Sequence, residues 1–526
     1  MSGQCFPRTA GVVVPLFSLR GTLDAGSGTI LDLIPFIEWL ARWHQGLLQL
    51  LPINEGAPHE TSPYTTLSAF AIDPGYITAI ELEDVRHSAG AQAWLRTSAV
   101  RSRLARAPRV RRRRRRAAYD FQIRLLRFAF EEFEAAVQSG ERRDGFDRFC
   151  TEQAWWLHDY ALFRALKERQ QWTDWTLWPA DIRDRHGAAL AAARAQLQPE
   201  IRFAQYMQWV AAAQWQAVRT HARGCGVRLK GDLPFVCGPD SADVWAQRAL
   251  FDLSSSAGAP PDAFSAEGQQ WGLTLYDWGA MRRDGYTWWR RRVQQASQLY
   301  DLVRIDHVVG LFRTYAIPVR AGGTSGFVPP DEHEQWQQGN DLLHAIIESA
   351  GPACAVVAED LGTVPHWVRE LLTQLRIPGY KVFRWETWNG DFIDPRAYPE
   401  LSVATTGTHD TDTLAEWCDT LGAEARAAAL RLLERLDVNL ESAEVRRALL
   451  QRLYEAGSAL TVVPIQDVCG WRERINTPAT VTPLNWTYRL PSPTRDLDAR
   501  PEVCQSMHAV QTMIDATGRW GAPSAI

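Results

Sequence analysis

The chain has no C-x-x-C pair among its eight cysteines, Cys5, Cys150, Cys225, Cys237, Cys354, Cys418, Cys469 and Cys504, and most lie many residues apart. That spacing excludes a zinc ribbon and the dense bridging of a small secreted scaffold. It fits reduced thiols in a cytoplasmic protein. Long hydrophobic runs are missing too: the most apolar stretch, 30–53, is interrupted by Asp32, Glu38, Arg42, His44 and Gln45. Such a stretch does not suit a spanning helix, so no membrane partner is expected. The first residues lack a basic segment leading into an apolar one, and no signal peptide is expected. Neither sign of charge is in excess, because 57 Lys and Arg face 61 Asp and Glu. The resulting net charge of −4 creates no global attraction to nucleic acid. No G-x-G-x-x-G or G-x-x-x-x-G-K-[ST] opens a helix, which argues against a nucleotide-phosphate turn. H-E-x-x-H and G-x-S-x-G are likewise absent, so neither zinc-protease nor serine-hydrolase chemistry is supported, and no metal or other cofactor is expected.

Tryptophan, by contrast, is plentiful. There are 23 of them beside 19 Phe and 13 Tyr. Core packing explains most buried tryptophans, but sugar rings are a ligand that flat aromatic faces hold well. With 46% apolar and 22% charged residues, the rest of the composition is that of an ordinary globular protein. The length of 526 residues corresponds to roughly two to four domains, or to one large barrel with insertions.

Short apolar runs that end in polar or turn residues recur along the chain: 11–16, 46–54, 226–232, 300–306, 353–360, 380–386, 402–410 and 459–467. Runs of this kind separated by longer segments read as buried parallel strands. Helix-like stretches lie between them, at 33–43, at 159–168 with Asp159 as a cap, and at 241–250 with Ser241 as a cap. The region 423–456 has room for two more helices. The expected fold class is α/β, a (β/α)8 TIM barrel. The gap between the second and third strands is too long for one crossover. We therefore expect a first barrel part at 1–54, a large, mainly helical inserted subdomain at 55–224, and the remaining barrel at 225–526. Smaller loop insertions are expected around 255–285 and 318–340.

The insertion contains the strongest charge run, RSRLARAPRVRRRRRR at 101–116. It reads either as a contact for nucleic acid or another anionic surface, or as a solvated lead into the next helix. That helix is marked by Tyr119, Ile123, Leu126, Phe130, Phe133 and Val137 at alternating spacings of four and three. No aromatics interleave with the arginines, so no nucleic-acid partner is expected.

The reactive face of such a barrel is the carboxyl end of its strands. Those ends carry Asp232, Asp306, Glu359 with Asp360, Asp410 and Asp467. Each alone could be a turn residue, but carboxylates converging on one pocket are costly without a role or a counter-charge. Arg304 and Asp306 are two apart on one strand, so they share a face. The guanidinium would keep Asp306 ionised, as a nucleophile requires. Glu359 follows the apolar run 355–358, where desolvation and like charge raise its pKa and suit a general acid. One ionised and one protonated carboxylate, roughly 5 Å apart, is the arrangement of a retaining glycosidase or transglycosidase. His409 and Asp410 in TGTHD would contact sugar hydroxyls.

RIDH (304–307), AEDLG (358–362) and TGTHD (406–410) resemble the nucleophile, acid/base and stabiliser motifs of the amylomaltases. That family comprises the 4-α-glucanotransferases, also called disproportionating enzymes, of glycoside hydrolase family 77. The resemblance runs in order from Gly11 to about Leu490, through SPY (62–64), WWLHDYALFRALK (155–167), GDLPF (231–235), DSADVWA (240–246), PPDAFSAEGQQWG (260–272), GYTWW (285–289) and RINTP (474–478). It implies Asp306 as nucleophile, Glu359 as general acid/base and Asp410 as transition-state stabiliser. It also implies Arg304 as orienter of Asp306, with His409 and Asp232 on the donor sugar. Ser62, Tyr64 and His307 would line the cleft, and Trp271 would sit on a loop over it. The implied activity transfers α-1,4-glucan segments of maltooligosaccharide, starch or glycogen to the 4-OH of glucose or another glucan.

The chain departs from the family pattern at Leu273-Thr274, where Asn-Pro is usual, and along SLRGTLDAGSG (18–28). It departs again at Thr411, where Asn is common, and at Ala479, where Gly is common. These positions bear on chain-length preference rather than on the carboxylates. Three readings compete with transfer: an α-glucan hydrolase on the same barrel, an inactive glucan-binding protein, and a nucleic-acid binder acting through 101–116. Most tryptophans, including Trp155, Trp156, Trp175, Trp178, Trp288, Trp289 and Trp486, are expected to be structural. Oligomeric state is not legible.

Overall fold

A computed structural model describes residues 6–21, 24–136, 140–260, 269–320, 323–434, 441–478, 480 and 482–521. Expectations at Cys5, Val137 and Ala479, and parts of 18–28 and 260–272, lie outside the described residues.

Each of the eight apolar runs supplies one parallel strand: β1 (Thr9–Val13), β2 (Leu47–Gln49), β3 (Arg228–Leu233), β4 (Leu302–Ile305), β5 (Ala355–Ala358), β6 (Gly379–Val382), β7 (Ser402–Thr405) and β8 (Leu460–Pro464). Their spatial order is 6-7-8-1-2-3-4-5. Ala358 N–H at the end of β5 donates to Pro378 O, just ahead of β6, at 3.0 Å, which closes the (β/α)8 barrel. The runs read as continuously apolar because helices cover the outer face while the strands fill the inside. Every residue of β1, β2, β4, β7 and β8 is buried. The register sets Asp232 of β3 beside Arg304 of β4, and Arg304 beside Val357 of β5. This alignment sets these residues side by side on adjacent strands.

Helix Leu33–Arg42 buries Leu33, Phe36, Ile37, Trp39 and Leu40. Ser241 caps helix Ala242–Ala246, accepting from Val244 N–H at 3.3 Å. Helices Ala423–Leu432 and Ser442–Tyr454 precede β8. Asp159 differs from expectation. The helix begins at Ala154, so Asp159 lies inside it and pairs with Arg185 at 2.9 Å. Burial of Trp156 and Leu157 extends the packed face back beyond the aspartate.

Between β2 and β3 the chain is mainly helical, with Arg115–Ala135, Ala154–Arg169 and Gln198–Gly224 as the longest helices. Two arginines of the basic run turn inward. Arg113 lies 4.2 Å from the centroid of the Phe17 ring, and Arg115 pairs with the buried Asp73 at 2.7 Å. Arg101, Arg106, Arg109, Arg111, Arg112 and Arg114 remain exposed.

The stretches after β3 and β4 are more than loops. Phe251–Ala259, Gln269–Tyr276, Thr314–Pro318 and Gly326–Val328 pair into an antiparallel sheet. The cause lies in the alternation of Trp271, Leu273 and Leu275, which puts one apolar face on Ala257 and Ala316. Trp271 therefore sits on a strand, not on a loop. Among the described residues, no helix is long and apolar enough to cross a membrane.

Candidate active site

At the carboxyl end of the barrel is a cavity of about 440 Å³, lined by Ser62, Tyr64, Trp271, Arg304, Asp306, His307, Glu359, His409 and Asp410. Nine of the ten site residues expected from the sequence meet there. The tenth, Asp232, is buried behind the wall. It reaches the cavity through its neighbours, taking Arg304 Nη1 at 2.6 Å and Tyr64 Oη at 2.8 Å.

Arg304 is the hub. Its Nη1 also donates to Asp306 Oδ1 at 2.7 Å, and its Nη2 lies 3.7 Å from Glu359 Oε2. One guanidinium thus holds a buried carboxylate and a partly exposed one, and borders a third. Asp232 resists ionisation because of its burial, and Arg304 opposes that effect. Replacing Arg304 with alanine leaves Asp232, with 1% of its side chain exposed, without its counter-charge. Arg304→Ala is expected to cost about 3–5 kcal/mol. The melting temperature should then fall by about 5 °C or more, and an unchanged melting curve would show that Arg304 does not compensate Asp232.

Glu359 is placed by backbone. His307 adopts a left-handed conformation (φ 47°), uncommon for a side-chain-bearing residue. Its N–H donates to Glu359 Oε2 at 2.7 Å, and Leu361 N–H donates to Oε1 at 2.8 Å. Burial nevertheless dominates. It pushes the Glu359 carboxyl up to about 7, with Arg304 opposing the rise and Asp306 adding to it. A carboxyl that holds its proton near neutrality is a competent acid and, once emptied, a competent base.

Asp410 behaves oppositely. Burial would raise it, but His409 at 3.3 Å and Asn476 Nδ2 at 2.7 Å bring its carboxyl down to about 2. Solvent tempers the ion pair, since 41% of the Asp410 side chain is exposed. Arg474 Nη2 donates to Asp410 O at 2.9 Å, and Asn476 N–H to His409 O at 3.2 Å, so 474–476 clamps the TGTHD turn. The role of Asn476 was not read from the sequence, although it lies within RINTP. Nothing in that motif's spacing pairs it with a turn some 66 residues earlier.

Aromatic faces border the same space. The Tyr64 and His409 rings stack 5.1 Å apart, and Trp271 meets His307 edge-on at 5.0 Å. Trp486, expected to be structural, lies against Tyr64 (5.9 Å) and His409 (5.7 Å) and lines the cavity. Trp385 lines it too. Two strand-end carboxylates turn away. Asp360 accepts from Tyr380 N–H at 2.7 Å, and Asp467 accepts from Thr406 Oγ1 at 2.5 Å and Leu414 N–H at 2.6 Å. Beneath Arg304, the buried Lys230 donates to Tyr380 Oη at 2.8 Å and fills the barrel interior.

The arrangement offers one carboxylate anchored by a guanidinium, one protonated carboxyl, one strongly acidic carboxylate and aromatic walls. Among the described residues, no group of His, Cys, Asp and Glu could hold a metal ion.

Known proteins resemble this chain over most of its length. Residues 14–495 match the family model described as 4-alpha-glucanotransferase, glycoside hydrolase family 77. The 4-alpha-glucanotransferase of Chlamydia caviae is 34% identical over 496 residues, covering 91% of this chain and 90% of its own. That of Thermus thermophilus is 33% identical over 510 residues, covering 92% and 95%. The amylomaltase of Streptococcus agalactiae, solved in complex with acarbose, superposes with a TM-score of 0.81 at 25% identity, covering 98% of this chain and 100% of that one. The fold and these matches agree: the chain belongs to the 4-alpha-glucanotransferase family, glycoside hydrolase family 77.

Proposed function

We propose that Asp306, Glu359 and Asp410 carry out two-step transfer of α-1,4-glucan segments. The observation that carries this reading is the pair formed by Asp306, held by Arg304 at 2.7 Å, and Glu359, whose carboxyl is pushed up to about 7. Asp306 Oδ attacks the anomeric carbon, and the bond to the departing O4 breaks. Its electron pair takes the Glu359 proton. A β-linked glycosyl ester on Asp306 results. The 4-OH of an acceptor glucan or glucose then attacks the same carbon and gives its proton to the emptied Glu359, while the Asp306 ester bond breaks. Two inversions restore the α-linkage. Asp410 stays ionised and, with His409, holds hydroxyls of the distorted ring. Tyr64, His307 and Trp271 supply walls, and Ser62 a polar edge. Asp232 acts through Tyr64 and Arg304. The acarbose bound by the Streptococcus agalactiae relative supports an α-glucan in this cavity.

The helical stretch 55–224 serves as a subdomain inserted into the barrel, contributing Ser62 and Tyr64 to the cleft. The seven cysteines among the described residues are all free, which supports action in a reducing, cytoplasmic compartment.

Incubation with maltotriose tests the reading. The expected products are glucose and a ladder of longer maltodextrins, with total reducing ends constant. Short products with steadily rising reducing ends would identify a hydrolase instead. Because Glu359 must hold its proton to act as the acid, and its carboxyl titrates near 7, the transfer rate should fall as pH rises above that value. Asp410, lowered to about 2, stays charged across the same range. A rate that climbs steadily from pH 6 to 9 would remove Glu359 from the acid role.

A further inference from the structure

Trp388 is the most exposed tryptophan in the described structure at 73%, and neither the core nor the catalytic cavity uses it. It stands on a short hairpin in which Thr387–Trp388 pairs antiparallel with Asp391–Phe392. The turn is Asn389-Gly390, with φ of 49° and 84°. Positive φ at both positions is what a two-residue hairpin demands, and Asn-Gly supplies it at low cost. Cross-strand partners share a face, so Phe392 and Thr387 face one way and Trp388 and Asp391 the other.

The hairpin is firmly seated. Phe392 stacks on Phe383 at 5.0 Å and meets Trp417 edge-on at 5.8 Å. Ile393 N–H donates to Glu386 O at 2.9 Å, and Arg431 Nε donates to Asp391 Oδ1 at 2.9 Å. Holding this large apolar ring in water does nothing for the fold. A ring carried into the open on an anchored hairpin has its backbone already ordered, which lowers the cost of meeting a ligand.

What it meets is indicated by its position. Trp385, half exposed, lines the catalytic cavity three residues earlier in the chain. Three Cα steps of about 3.8 Å keep the Cα atoms of the two tryptophans within about 11 Å of each other. Asp391, the cross-strand partner of Trp388, is paired with Arg431 of helix Ala423–Leu432, so its charge is neutralised and favours neither anion nor cation. A neutral polymer with flat apolar ring faces, leaving a cavity already walled by Trp271, Trp385 and Trp486, fits these conditions.

We propose that Trp388 is an outer stacking platform for α-1,4-glucan, engaged only by chains long enough to run past Trp385. The proposal rests on the glucan reading of the cavity and adds chain-length preference to it. Steady-state transfer should be compared for the wild type, Trp388→Ala and Trp388→Phe, on maltotriose and on long-chain amylose. The expected result for Trp388→Ala is a KM for amylose raised about fivefold or more, with kcat and all maltotriose constants unchanged. Trp388→Phe should recover most of the amylose affinity, because it restores a flat face. Equal amylose KM values for wild type and Trp388→Ala would overturn the proposal. So would a parallel rise for maltotriose, which would show a disturbed cavity rather than a lost outer contact. A wild type inactive on both glucans would instead reject the glucan reading itself, and the two failures are therefore distinct.

Discussion

Asp306→Asn is expected to lower kcat for maltodextrin transfer by about four orders of magnitude or more, with little change in thermal unfolding. The asymmetry follows from what each group around Arg304 needs. The amide oxygen of the substituted side chain still accepts from Nη1, and Arg304 keeps its 2.6 Å bond to buried Asp232, so no charge is stranded. What disappears is the nucleophile. No neighbour replaces it: Asp232 is buried behind the wall, and Asp410 is engaged by Asn476 and His409. Rates on maltotriose and the melting curve, measured on one preparation, check both halves. Residual activity within about a hundredfold of wild type would mean that the attack does not come from Asp306.

Glu359→Ala is expected to lose about three to four orders of magnitude in kcat on maltotriose, whose departing sugar needs a proton. The loss in kcat/KM should be much smaller with α-maltosyl fluoride, because fluoride departs without protonation and kcat/KM reads the first step. Azide should accelerate the fluoride reaction by entering where the base-activated acceptor normally attacks. The product should be the α-glycosyl azide, since displacement from Asp306 inverts a β-linked ester. A β-azide would mean direct displacement with no covalent intermediate. Equal losses of kcat/KM on maltotriose and the fluoride would mean that Glu359 acts by position or charge, not as the acid.

Much of this was legible in the sequence because it depends on local pattern. Parallel strands buried on both faces leave unbroken apolar runs, and all eight barrel strands fall on such runs. The carboxyl end of a strand then points to a cavity residue, as with Asp306 after β4 and Glu359 after β5. Which carboxylates face the cavity was not legible. Asp360 and Asp467 occupy equivalent strand ends, yet they cap Tyr380 N–H and Leu414 N–H. Only the path of the following loop decides that outcome. Trp486, expected to be structural, and Asn476 were not placed at the site for a related reason. They reach the site on a segment bonded to the TGTHD turn across 66 residues, and no periodicity records such a contact. The antiparallel sheet bearing Trp271 did leave a trace, in the alternation of Trp271, Leu273 and Leu275. That stretch is short enough to pass for a loop.

The most direct test is to identify the residue that carries the sugar. Glu359→Ala incubated with α-maltosyl fluoride, quenched in acid and digested, should accumulate the glycosyl-enzyme, because the base that completes transfer is gone. The expected result is a peptide containing Asp306 heavier by one maltosyl unit, absent when Asp306→Asn is added. A maltosyl adduct on a peptide without Asp306, or turnover of the fluoride with inversion and no adduct, would contradict a covalent two-step transfer at this site.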